Sequence, residues 1–142
     1  MNQSERIRVI VLGLVFQDDR LLVSEADDLV KQDKFYRALG GGVEFGETCL
    51  AALRREFQEE IQTDLLNVHY LGCIENLFIY NGQPGHEIVQ LYRCDLADVE
   101  LYQRDRLTVT ESSGQATAYW VKVSQFKSGE LRLVPEGCLE YL

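Results

Sequence analysis

With 142 residues and 46% hydrophobic content, the chain has the length of one domain and enough apolar material for a packed core. A formal net charge of −9, from 23 acidic against 14 basic residues, argues against partnership with a long nucleic acid through charge neutralisation. It leaves open a small phosphate compound, because a metal ion set between two anions reverses the local sign.

Cys49, Cys73, Cys94 and Cys138 stand far apart with no CxxC pair, so zinc-ribbon and thioredoxin-like readings find no support. The stretch MNQSERIR has no apolar segment after its charges, and Val9 to Phe16 is too short to span a membrane. A cytoplasmic protein with free thiols and no membrane partner is the expectation. Residues 1–142 read as a single domain, without repeats or low-complexity tracts.

In chain order, Ile7 to Phe16 is apolar and β-branched at nearly every position, which predicts a strand buried on both faces. Gln17-Asp18-Asp19 turns it, and Arg20 to Ser24 returns as a hairpin partner. Ala26 to Lys34 reads as a polar loop, and Phe35 to Ala38 as a short strand running into Gly40-Gly41-Gly42. A helix follows, with Thr48 at its N-cap, Glu47 beside it and Leu50, Leu53, Phe57 and Ile61 recurring at helical spacing. Cys49 in its first turn reads as a packing residue.

Val68 to Tyr80 has strand composition, Asn81-Gly82 with Pro84-Gly85 marks a turn, and His86 to Asp95 should pair back across it. Asp95 to Ala116 reads as a long polar loop of the kind that usually carries function. Ala116 to Val123 is another strand, Ser124-Gln125-Phe126 a short helical turn, and Pro135 to Leu142 a terminal helix. This order predicts an α/β fold, a mixed sheet with helices on its faces.

On the predicted helix Glu56, Glu59 and Glu60 gather on one arc beside the apolar stripe. Like charges three and four residues apart repel, so something should offset them. A hard divalent cation does so through oxygen ligands, and Arg55 can hold one carboxylate in place. Glycines just ahead of the helix let the backbone approach a ligand closely.

Gly41, five residues, Glu47, seven residues and then Arg55-Glu56-Phe57-Gln58-Glu59-Glu60 closely resembles the signature of the Nudix hydrolases. Gln62 and Thr63 depart from the glycine and aliphatic residue that normally end it, so the helix is expected to end differently, running on toward Asp64. Leu39 stands where a proline is often found. The resemblance implies an α/β/α sandwich over essentially the whole chain. It also implies hydrolysis of a nucleoside diphosphate linked to a further moiety X, by water attacking phosphorus with Mg²⁺ or Mn²⁺ bound.

By the same resemblance, Glu56, Glu59 and Glu60 are the metal ligands, and Glu59 or Glu60 helps activate water. Arg55 orients a glutamate, while Glu47 braces the loop or reaches the metal through water. Backbone at Gly40, Gly41 and Gly42 contacts metal or phosphate. Glu111, ahead of a late strand, is a candidate general base, and an exposed loop glutamate is the plain alternative. His86 and Glu87 are candidate substrate-binding residues, and Phe35, Tyr36, Phe78, Tyr80 and Trp120 candidate stacking partners for a base. Dimers are frequent in that family, so a homodimer stays open. Two other readings compete: a nucleotide-binding module that has lost catalysis and senses a ligand such as ADP-ribose, and an interaction protein whose acidic helix is merely solvated.

Overall fold

A computed structural model describes residues 5–142. Eight strands form one mixed sheet: β1 (Ile7–Leu14), β2 (Phe16–Gln17), β3 (Arg20–Asp28), β4 (Asp33–Gly42), β5 (Leu65–Tyr80), β6 (Gln83–Leu96), β7 (Arg106–Glu111) and β8 (Gly114–Lys122). Across the sheet the order is β5-β6-β1-β4-β3-β8-β7, with β2 paired to β3. Strand β1 pairs parallel with β6 and antiparallel with β4.

Alternation along β1 sorts two cores onto two faces. Ile10, Leu12 and Leu14 pack with Val89, Leu91, Phe126 and Cys138, beneath the short helix α2 (Val123–Lys127) and a terminal 3₁₀ turn, Glu136–Tyr141. Val11 and Val15 face the other way, against the helix α1 (Cys49–Ile61) through Ala52, Leu53, Phe57 and Ile61. Gly13 lies under that helix, where an added Cβ would stand 2.9 Å from the Phe57 ring. The sheet thus has helical elements on both faces, as an α/β/α arrangement requires.

Thr48 caps α1, its hydroxyl accepting from Ala51 N–H at 3.1 Å, and Cys49 packs partly buried against the α1-side core. Leu50 departs from the predicted stripe: it is 42% exposed, because it sits in the first turn before the helix settles on the sheet. Nor does the helix run on toward Asp64. It ends at Ile61, with Gln62 left-handed at φ 52° and ψ 49°, a conformation costing a non-glycine about 1–2 kcal/mol.

Local bonds offset that cost. Gln62 N–H donates to Gln58 O and its side-chain amide to Glu59 O, at 3.1 and 2.9 Å. Thr63 is buried, donates to Asp64 O, and accepts from Asp98 N–H at 3.0 Å. A hydroxyl that serves as both donor and acceptor fills the place of the usual aliphatic residue.

Two predicted loops are largely strand. Of Ala26 to Lys34, only residues 29–32 turn; the rest extends β3 and β4, paired from Ala26·Phe35 to Asp28·Asp33. Buried Asp28 closes that turn by accepting from Val30 and Lys31 N–H, both at 3.0 Å, and from Asn81 N–H in the β5–β6 turn. The segment Asp95 to Ala116 holds a 3₁₀ turn, Val99–Gln103, then β7, whose Leu107 and Val109 are buried on the α1 side. The terminal segment is a 3₁₀ turn rather than an α-helix. Among the described residues, no helix is long and apolar enough to cross a membrane.

Candidate active site

At the end of β4 the backbone runs beneath the C-terminal half of α1, and the glycines let it approach. Gly40 has φ 147°, an added Cβ there would overlap the Val11 carbonyl, and its N–H donates to Glu60 Oε1 at 3.1 Å. At Gly41 a Cβ would lie 2.5 Å from the Glu56 carboxyl carbon. The missing side chain is the space that carboxylate occupies.

Arg55 holds the upstream corner together. Its Nε and Nη2 donate to the two oxygens of Glu47, both at 2.8 Å, in a two-pronged pair. Nη2 also donates to Gly42 O at 3.0 Å, and Nη1 to Glu56 Oε1 and Glu59 Oε2 at 3.0 and 3.3 Å. The guanidinium beside Glu47, with a further bond from Glu44 N–H, pulls that carboxyl down to about 2. Both Glu47 oxygens are engaged in this way.

Glu60 is in the opposite state. Only 6% exposed and facing the sheet, it is pushed up to about 8 by burial, then by the charges of Glu56 and Glu111, against the partial relief of Arg37 and Gly40 N–H. Burial also raises Glu56. Strand alternation along β7 puts Glu111 on the α1 side with Leu107 and Val109, which is how a residue from a distant strand comes to face Glu60.

These groups line a cleft of about 980 Å³ that contains Gly40, Gly41, Gly42, Arg55, Glu56, Glu59, Glu60 and Glu111. His86 and Glu87 do not line it. They lie on β6 opposite Ile7 and Arg8, with Glu87 buried and 3.4 Å from the Asn76 amide. Of the aromatic candidates Tyr80 alone lines the cleft; Tyr36 packs against Phe126, and Trp120 stacks on Tyr102 at 5.3 Å. Phe35 meets Tyr80 edge to face.

Sequence reasoning missed Arg6, Arg8, Arg37 and Phe45, which also line the cleft. Among the described residues those three arginines form no salt bridge. Their positions depend on strand pairing far along the chain, which has no local signal. The side chains as placed do not form a ready metal cage: Glu47, Glu56 and Glu59 all turn to Arg55, and among the described residues no three His, Cys, Asp or Glu are grouped to hold an ion. The donor set nonetheless suits a hard cation, being carboxylate oxygen throughout with Glu56 seated in the gap left by Gly41.

A family model described as the NUDIX domain matches residues 6–141. No curated protein matches the sequence. Among solved structures, a NUDIX hydrolase from Nitrosomonas europaea superposes with TM-score 0.67 at 18% identity, covering 95% of this chain and 87% of that one. A MutT NUDIX hydrolase from Burkholderia pseudomallei gives 0.61 at 19%, covering 84% and 86%. The E. coli ORF135 protein gives 0.58 at 20%, covering 99% and 91%. At these identities the superpositions speak for the fold, while the near-complete domain match decides kinship: the chain belongs to the Nudix hydrolase family, whose members are in general pyrophosphohydrolases of small nucleotide-type substrates working with divalent cations.

Proposed function

We propose that this chain hydrolyses a nucleoside diphosphate linked to a further moiety, NDP-X, by attack of water on one phosphorus, with Mg²⁺ or Mn²⁺ as cofactor. The observation that carries the reading is the meeting of Glu56 and Glu60 from α1 with Glu111 from β7 in one cleft, a concentration of carboxylate the protein itself leaves undercompensated. Glu56, Glu59 and Glu60 would hold the cation. When bound, such an ion lowers the pKa of water and neutralises charge building on phosphate oxygens.

The chain's own residues then divide the remaining work. Arg55 is a positioning residue: it fixes Glu47, and through Gly42 O it fixes the loop that carries Gly40 and Gly41. Glu111 is the group placed to accept the proton of the attacking water, since it faces the cleft from the sheet side and makes no salt bridge among the described residues. Arg6, Arg8 and Arg37 supply positive charge for the phosphate oxygens.

A panel of ADP-ribose, nucleoside triphosphates, dinucleoside polyphosphates and sugar nucleotides, each with Mg²⁺, with Mn²⁺ and with chelator, tests this. Cation-dependent release of a nucleoside monophosphate or of pyrophosphate from at least one compound is the expected result. Binding without turnover across the panel would instead favour the nucleotide-sensing module.

A further inference from the structure

Phe45 is the most exposed large apolar residue among those described, at 107% of its reference area, and it lines the same cleft as the carboxylates. It stands at the tip of a tight turn in which Glu47 N–H donates to Glu44 O at 3.1 Å and Gly46 takes φ 88°. A positive φ at the third position is what a type II turn needs. The turn is held from both sides. Glu44 N–H donates to Glu47 Oε1, Glu47 is gripped by Arg55, and Val43 N–H donates to Val9 O at 2.9 Å.

A phenyl ring kept in water on a backbone turn held in this way stabilises nothing in the fold itself. Two further apolar residues, Ile7 and Val9 of β1, line the same cleft and are 60% and 40% exposed. The cleft therefore has a carboxylate and arginine region, suited to phosphates and a cation, and a region suited to a flat apolar group.

We propose that Phe45 is a specificity-determining residue whose ring stacks on the nucleobase of the substrate, with Ile7 and Val9 beside it. This rests on the NDP-X reading and adds to it that the base, rather than X, is gripped by the loop between β4 and α1. An aromatic ring suits any base, so the preference it creates is for nucleotides over base-free phosphoanhydrides.

The test is binding of ADP and of inorganic pyrophosphate to the full chain, with Mg²⁺, in the wild type and in Phe45→Ala, Phe45→Tyr and Phe45→Trp. Phe45→Ala should weaken ADP by about 5- to 150-fold, the span of base–aromatic stacking, and leave pyrophosphate within about twofold. Phe45→Tyr should restore ADP affinity. In Phe45→Trp the added indole should be quenched by ADP and not by pyrophosphate, against the constant signal of buried Trp120. Equal weakening of both ligands, an unchanged ADP affinity, or a change of oligomeric state in place of a change in affinity would overturn the assignment of Phe45 while leaving the hydrolase reading intact. A wild type that binds neither probe would overturn both.

Discussion

The two corners of the site hold carboxylates in opposite states. At the Arg55 corner Glu47 has two charged hydrogen bonds and lies near 2; at the sheet-facing corner Glu60 is buried, has one backbone donor, and lies near 8. Both belong to the same signature, Glu47 just before α1 and Glu60 near its end, so sequence position does not set them apart. Partnership does. The first corner is already neutralised and reads as scaffold; the second retains an electrostatic demand that a proton meets in the metal-free protein and a cation could meet in its place, and reads as the working end.

The contrast breaks most readily at Glu60. Glu60→Gln should lower kcat on whichever NDP-X compound is turned over by at least about 10²-fold, and steady-state kinetics at saturating Mg²⁺ would show it. Wild-type turnover would mean that the wrong corner was chosen. Glu59→Gln is expected to fall in the same range.

A subtler change leaves every carboxylate in place. Gly41→Ala would put a methyl group where the Glu56 carboxylate now sits, and since that carboxylate is the end of a flexible side chain, it moves instead of the backbone. A loss of about tenfold in kcat/KM with little change in Tm is expected, because displacement alone erodes a positioned site.

The pH dependence of stability sharpens the comparison from both directions. Glu60 is raised, so the folded protein retains a proton that the unfolded chain has released, and native stability falls as pH rises from about 4.5 to about 8. In metal-free protein Glu60→Gln should therefore gain in unfolding free energy over wild type across that window, by on the order of a few kcal/mol at its upper end, as denaturant titration at each pH would show. Glu47 is lowered, so its contribution is present above about 4.5 and is lost as pH falls toward about 2. Glu47→Gln should flatten the acid limb of the Tm profile and leave the alkaline limb alone. The smallest effect is expected at His86, off the cleft: His86→Ala should shift KM by less than about twofold.

How much of this could be read from the sequence follows the range over which each feature is encoded. The glycines, Thr48, Arg55 and the glutamates of α1 lie within one contiguous stretch, and their spacing alone placed them together. Charge count hid β7: Arg106 to Glu111 alternates polar and apolar in strand fashion, yet the acidic residues around it suggested a loop. Leu107 and Val109 supplied the missed signal. Gln62 had no such signal, because the bonds that hold it left-handed come from its own amide and from Gln58. Arg37 and Phe45 reach the cleft only once β4 has found its register against β1 and β3.

Strand β1 lies inside the sheet, and its two flanks are supplied by later parts of the chain: β4 covers Ile10 to Gly13, and β6 covers Ile7 to Leu14 through residues 86–93. During synthesis this most apolar strand therefore emerges early and keeps one edge bare until nearly two thirds of the polypeptide has left the ribosome. An unpaired edge that carries no charge beyond Arg8 invites neighbouring nascent chains. A holdase bound to Val9–Val15 until residues 86–93 have emerged should raise the yield of soluble protein.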